Sequence, residues 1–185
     1  WKGVSWRCFG RETSVSLLFF YIWTRLFILS QRLVRVVLNH RMWCITNALE
    51  KKGYTVKQVN PNWYRPLSEQ VFKVEEEAVV FGFSFGAVIA YLNAIKYPCR
   101  KVIFGSLSPI DTFSYESLVE DYMEYMPKDL AEEISADIKN IKIDLTTLKV
   151  PFVTLAGDKE NMQADISVPH TGHQITGPYI ECIVK

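Results

Sequence analysis

The stretch EEEAVVFGFSFGAVIAYLNAIKY, residues 75–97, decides how the rest of the chain is interpreted. Its continuous apolar run AVVFGFS is typical of a strand that is covered on both faces. The run FGAVIAYLNAIKY then carries an apolar stripe at helical spacing, formed by Val88, Tyr91, Leu92 and Ile95. Ser84 therefore stands at a predicted sharp turn between a buried strand and a helix, with Gly82 and Gly86 on either side.

A serine at such a turn is forced into an unfavourable backbone conformation. The residues two positions away approach the neighbouring elements closely, which explains glycine at Gly82 and Gly86. The turn exposes the Ser84 hydroxyl above the sheet, and the first amides of the helix, including that of Phe85, face the space in front of it. Those amides would stabilise an oxyanion. The alternative interpretation is a glycine-rich turn that contains an incidental serine.

The remaining patterns predict an α/β fold with a mostly parallel sheet and helices on both faces. Strands are predicted at 32–38, 54–60, 101–107, 151–157 and 164–169. Helices are predicted at 41–53, within 113–142 and after His173, where Gly177-Pro178 delays the start. Ligands of such sheets sit at the carboxyl ends of the strands, so chemistry is expected just after Phe83, Leu107, Gly157 and Pro169.

Three motifs together resemble the α/β-hydrolase superfamily of serine hydrolases. VVFGFSFGAVIAYLNA resembles its nucleophile elbow, VPFVTLAGDKE the strand that carries its catalytic acid, and PHTGHQI the turn that carries its catalytic histidine. The chain order of serine, acid and histidine also matches the family. The resemblance covers about residues 42–185 and implies an α/β-hydrolase-like fold, with a short helical cap at about 113–142. A helix pair that simply covers the sheet is the alternative for that segment.

The resemblance implies a role for each motif residue. Ser84 is the expected nucleophile and His173, which directly follows a glycine, is the expected base, with His170 as the alternative. Glu160 stands three residues after Gly157, where the family places its acid, and is favoured over Asp158. A remote alternative for the acid is Asp111, after the strand at 101–107.

The oxyanion site is where the sequence departs from the family. The expected donors are the amides of Phe85 and Asn39, but the segment Asn39-His40-Arg41 lacks the glycine that the family usually carries in this loop. Phe83, Trp63 and Met123 are candidate residues of a substrate pocket.

These features favour a hydrolase that cleaves a small-molecule carboxylic ester or thioester through an acyl-enzyme. The alternative is a catalytically impaired member of the fold that acts as a binding or scaffold protein. The formal net charge of +1 does not favour nucleic acid as a partner. The sequence contains no metal-ligand cluster and no nucleotide-binding glycine loop, so no metal and no cofactor are predicted.

The first part of the chain differs in composition from the rest. Residues 1–41 contain six Arg and a single acid, Glu12. We therefore treat 1–31 as an apolar, Arg-rich N-terminal segment, and a separate origin from the predicted domain at 32–185 is one hypothesis for the difference in composition. Its apolar stretch 14–30 is shorter than a membrane span and is interrupted by Arg25. A cytoplasmic protein with reduced cysteines is expected, and association with a membrane through 14–30 is the alternative.

Overall fold

The computed structural model describes residues 26–30 and 40–184, with side chains described from residue 44 onward. The described strands are β1 Leu26–Ser30, β2 Thr55–Val59, β3 Val79–Phe83, β4 Lys101–Gly105, β5 Phe152–Gly157 and β6 Ile166–Val168. The described α-helices are α1 His40–Glu50, α2 Phe85–Lys96, α3 Tyr115–Met123, α4 Lys128–Asn140 and α5 Gly177–Val184. Two short 3-10 helices, Leu67–Gln70 and Leu145–Thr147, complete the described secondary structure.

The six described strands form one sheet in the order β2-β1-β3-β4-β5-β6. Strands β3 to β6 are parallel, whereas β1 is antiparallel to both β2 and β3. The prediction of an α/β fold with a mostly parallel sheet is therefore confirmed. Because parallel neighbours end at the same edge, the segments that follow β3, β4, β5 and β6 all begin at one edge of the sheet.

Most predicted elements are present close to their expected bounds. The exceptions lie near the beginning: the strand predicted at 32–38 falls outside the described residues. The end of the apolar stretch 14–30 instead forms β1, inside the sheet, although the sequence predicted that the domain starts at residue 32. The rest of that stretch lies outside the described residues.

Side chains that alternate along the strands build a core on each face of the sheet. Val80, Val102 and Phe104 pack with α2, α3 and α4 on one face. Phe81, Ile103 and Leu155 pack with α1 and α5 on the other face. The predicted arrangement of helices on both faces is thus present in the described part of the chain.

The segment 113–142 forms α3 and α4, which pack against each other and against the core on the α2 face. Leu118, Ile134 and Ile138 are buried there. The Ser114 side chain caps α3 by accepting a hydrogen bond from the Ser117 amide at 3.0 Å. The buried side of this helix pair is therefore continuous with the core that supports β3 and β4.

Among the described residues, none of the helices combines the length and the apolar character that crossing a bilayer requires.

Candidate active site

The turn between β3 and α2 holds Ser84 in a strained backbone conformation. Its φ and ψ angles are 57° and −125°, a region that residues with a side chain rarely adopt. The Ser84 amide donates to the carbonyl oxygen of Gly105 at 2.9 Å, which ties the turn to β4. A β carbon on Gly82 would overlap the carbonyl oxygen of Gly86. Glycine at position 82 is therefore a steric requirement of the turn, as the sequence predicted.

Three side chains from distant positions meet at the carboxyl edge of the sheet. The Ser84 hydroxyl lies 2.9 Å from Nε2 of His173. The other ring nitrogen of His173, Nδ1, lies 2.7 Å from Oε2 of Glu160. An ionised Glu160 accepts a hydrogen bond from the N–H group at Nδ1, which leaves the unprotonated Nε2 to accept a hydrogen bond from the Ser84 hydroxyl. The side chains expected to be nucleophile, base and acid are thus brought into one hydrogen-bonded chain.

Glu160 is held by donors on both of its carboxylate oxygens. Oε1 accepts hydrogen bonds from the Gly157 amide and from the Ser106 hydroxyl, each at 2.7 Å, while Oε2 faces His173. The Glu160 side chain is only 5% exposed. Burial opposes its ionisation, but the hydrogen bonds from His173, Ser106 and the Gly157 amide outweigh burial and lower the pKa of Glu160 below its ordinary value. The carboxylate is therefore ionised at neutral pH.

The side chain of Asp158, the other candidate acid, faces the backbone of the loop that carries His173. Its carboxylate accepts the amides of His170 and Thr171 at 2.8 and 2.9 Å, and these bonds lower the pKa of Asp158. The carboxylate that is hydrogen-bonded to the His173 imidazole belongs to Glu160, not to Asp158. Asp158 thus orders the loop that carries His173.

His170, the alternative base, lies on the exposed side of the same loop with a φ of 57°. The loop packs closely on the end of β5, because a β carbon on Gly157 would lie 2.7 Å from the Gly172 carbonyl oxygen. Thr171 is buried and anchors the loop through hydroxyl contacts with Pro169 and Thr176. This packing sets the position of His173, whose side chain is 52% exposed.

Phe83, expected in a substrate pocket, lies instead in the core on the α5 face, where it is 4% exposed. Successive strand residues point to opposite faces, and this position points away from the α2 face. The Phe83 ring centroid lies 5.0 Å from that of His173 and 5.6 Å from that of Tyr179. Phe83 therefore supports the imidazole from within the core.

The other pocket and oxyanion candidates are dispersed. Trp63 is half-buried against the core on the α2 face, and Met123 is exposed at the end of α3. Phe85 begins α2 and its ring stacks with that of Phe113 at 6.1 Å between centroids. Asn39 lies outside the described residues. Asp111, the remote alternative acid, is exposed in the segment after β4.

Sequence reasoning missed three hydroxyl groups. Ser108 lies 3.0 Å from the Ser84 oxygen, and Ser106 contacts both Glu160 and Tyr179. Both serines follow β4, at the sheet edge where the strand pattern predicts chemistry. A serine in a loop is nevertheless common, so the sequence alone does not mark either one as part of a site. Tyr179 had no sequence signal, because only folding brings α5 to the end of β4.

A separate cavity of about 250 Å³ lies beyond the end of β2, and none of Ser84, Glu160 and His173 lines it. Its polar wall is internally bonded, since Gln70 accepts the Asn62 amide at 2.7 Å and Arg65 pairs with Glu69. Within the described residues no group of three or more His, Cys, Asp or Glu side chains is arranged to hold a metal ion.

Comparisons of the chain with models of protein families, with curated proteins and with solved structures found no match.

Proposed function

We propose that the chain is a serine hydrolase of the α/β-hydrolase type, which cleaves a carboxylic ester or thioester through an acyl-enzyme on Ser84. One observation carries the proposal: the hydrogen-bonded chain from Ser84 through His173 to Glu160, with distances of 2.9 and 2.7 Å. A hydroxyl, an imidazole and a carboxylate in this order are the groups that activate a serine for attack on a carbonyl carbon. The strained turn at Ser84 supports the same conclusion.

In the proposed acylation step, the Ser84 oxygen attacks the carbonyl carbon and its proton passes to Nε2 of His173. The ionised Glu160 stabilises the resulting positive charge on the imidazole and keeps Nδ1 protonated. When the tetrahedral intermediate collapses, the bond from carbon to the leaving oxygen or sulfur breaks. His173 returns its proton to that leaving group, which departs as an alcohol or a thiol and leaves the acyl group on Ser84.

Deacylation repeats these steps with water. His173 takes a proton from the water as its oxygen attacks the acyl carbon, and then delivers that proton to the Ser84 oxygen as the acyl bond breaks. The products are a carboxylic acid and the free enzyme. The 52% exposure of His173 leaves the imidazole accessible to water on this side of the site.

The first turn of α2 is the proposed source of electrostatic stabilisation for the oxyanion. The Phe85 amide directly follows Ser84, and the amides of the first helical turn carry the positive end of the helix dipole. An oxyanion that forms beside the Ser84 oxygen would accept a hydrogen bond from the Phe85 amide.

Labelling with a fluorophosphonate probe tests the proposal. Folded protein should form a covalent adduct at Ser84, while Ser84→Ala should form none and His173→Ala should react far more slowly. Ser117→Ala, which removes an exposed serine hydroxyl on α3, is the matched control and should label at the wild-type rate. An intact fold with no adduct at Ser84 would reject the proposal.

A second candidate is a catalytically impaired member of the fold that binds a ligand or partner. The direction of β1 favours it: Leu26 pairs with Gly82, and Leu29 pairs with Val79. The backbone of Ser30 therefore lies at the sheet edge opposite Ser84, so the final residue of β1 supplies no backbone amide beside the serine. Lack of turnover of short p-nitrophenyl esters, together with ligand or partner binding that survives Ser84→Ala, would select this candidate.

A further inference from the structure

Two buried hydroxyl groups lie behind the carboxylate of Glu160. Ser106 directly follows β4 and Tyr179 belongs to α5, and both are fully buried. The Ser106 hydroxyl donates to Oε1 of Glu160 at 2.7 Å and lies 3.1 Å from the Tyr179 hydroxyl. The Tyr179 hydroxyl also donates to the Leu155 carbonyl oxygen at 3.0 Å. A continuous hydrogen-bonded path thus joins the C-terminal helix to Glu160.

Counting protons sets the direction of these bonds. Ser106 has one hydroxyl proton, which goes to Glu160, so Ser106 accepts from Tyr179. The Tyr179 proton is shared between the Ser106 oxygen and the Leu155 carbonyl. Burial raises the pKa of Tyr179 above its ordinary value, so the phenol remains a donor. Each donor in this path is therefore directed either toward the Glu160 carboxylate or toward β5, the strand that precedes Glu160 in the chain.

The backbone is shaped to build this path. Ser106 has a φ of 43°, and its amide donates to the same Leu155 carbonyl oxygen, at 2.6 Å. A β carbon on Gly105 would lie 2.9 Å from the Tyr179 hydroxyl oxygen, so a larger residue would displace the phenol. The strained backbone of Ser106 and the absence of a side chain at Gly105 together fix the position of the Ser106 hydroxyl.

We propose that Ser106 and Tyr179 are positioning residues that hold Oε1 of Glu160 so that Oε2 faces His173. The two carboxylate oxygens turn as one rigid unit, so fixing Oε1 also fixes the oxygen that orients the imidazole. Ser106 acts on Glu160 directly, and Tyr179 acts through Ser106. The expected effect on rate rests on the proposed function, whereas the arrangement of the carboxylate is measurable without turnover.

Removal of the Ser106 hydroxyl leaves Glu160 buried with one hydrogen bond fewer. Ser106→Ala and Ser106→Gly both remove the hydroxyl, but glycine relieves the left-handed backbone whereas alanine retains its strain. An effect shared by the two variants therefore belongs to the hydroxyl. Tyr179→Phe keeps the ring and removes only the upstream donor.

The primary measurement is the titration of Glu160 by carbon NMR on protein with labelled glutamate carboxyl groups. The signal that disappears in Glu160→Gln assigns the resonance. We expect the pKa of Glu160 to rise in both Ser106 variants, and to rise less in Tyr179→Phe. The rate of fluorophosphonate labelling of Ser84 should fall about tenfold or more in the Ser106 variants, as expected for loss of a hydrogen bond to a charged group.

Ser135→Ala and Tyr122→Phe are matched controls, since each removes a buried hydroxyl on the α3–α4 layer that lacks a hydrogen-bond partner among the described residues. Neither should move the titration of Glu160 or the labelling rate. An unchanged Glu160 titration in both folded Ser106 variants would overturn the inference. If wild-type Ser84 is never labelled, the proposed function fails, but the titration still decides the role of Ser106.

Discussion

The backbones of Gly82 and Gly86 approach each other closely across the turn. A β carbon on Gly82 would overlap the carbonyl oxygen of Gly86 and would also lie 2.7 Å from the nitrogen of Ala87. Backbone atoms cannot move aside as a flexible side chain can, so Gly82→Ala must open the turn or shift α2. We expect this substitution to lower the free energy of unfolding by at least ~3 kcal/mol, the upper range for overpacking. Urea unfolding followed by circular dichroism measures it.

Gly177→Ala is the control for that experiment, because a β carbon on Gly177 meets no atom within 4 Å. Its free energy of unfolding should stay within ~1 kcal/mol of the wild-type value. Equal stability of Gly82→Ala and wild type would contradict the close approach at the turn.

The strain at Ser84 predicts a difference between two substitutions that both remove the hydroxyl. With a φ of 57°, glycine fits the turn better than alanine does. Ser84→Gly should therefore unfold with a free energy about 1 kcal/mol higher than Ser84→Ala, and neither variant should react with a fluorophosphonate. A Ser84→Ala protein that is the more stable of the two would show that the turn is not strained.

Two amide substitutions separate the roles of the neighbouring acids. Glu160→Gln should lower the Ser84 labelling rate roughly 10³-fold or more, because an amide cannot stabilise the positive imidazole and favours its wrong tautomer. Asp158→Asn should lower the rate by less than about tenfold, since Asp158 binds the loop backbone at His170 and Thr171. The reverse order of effects would assign the acid to Asp158.

Stability should also depend on pH through Glu160. Its folded-state pKa lies below the ordinary value of 4.5, so the ionised carboxylate stabilises the fold at pH values above that point. The contribution should disappear as the pH falls from 4.5 through the lowered pKa. Urea unfolding at a series of pH values should therefore show wild type losing more stability than Glu160→Gln over this window. Parallel curves for the two proteins would argue against the lowered pKa.

Ser108 offers a test of how Ser84 is made reactive. In the proposed reaction Ser84 donates its proton to His173, so the Ser108 hydroxyl is the donor in their 3.0 Å contact and would stabilise the negative charge that develops on the Ser84 oxygen as its proton leaves. Ser108→Ala should slow fluorophosphonate labelling about threefold to tenfold, the range expected for one neutral hydrogen bond. Unchanged labelling would remove Ser108 from the site.

Local pattern was sufficient to predict most of the secondary structure. The apolar runs that end just before Ser84, Ser106 and Asp158 and the helical stripe of α2 correspond to described elements, because burial of one or both faces of an element leaves a regular pattern of apolar residues in the chain. The direction of β1 left no such pattern. The backbone of a strand can pair with its neighbours in either direction, and which neighbours it meets is decided by long-range pairing.

The sequence by itself determined the α/β pattern and the need for glycine at 82, while its resemblance to a known family predicted Ser84 as the nucleophile and left more than one candidate for the acid and for the histidine. The pattern and the glycine depend on periodic burial and on local sterics, which act within short stretches of the chain. Only the tertiary structure decided that Glu160 rather than Asp158 faces His173, that Phe83 points into the core, and that Ser106 and Tyr179 stand behind the acid. Those outcomes depend on which side chains meet across the ends of β4, β5 and α5, and hydrogen bonds between residues so far apart in the chain exist only after the sheet has been assembled.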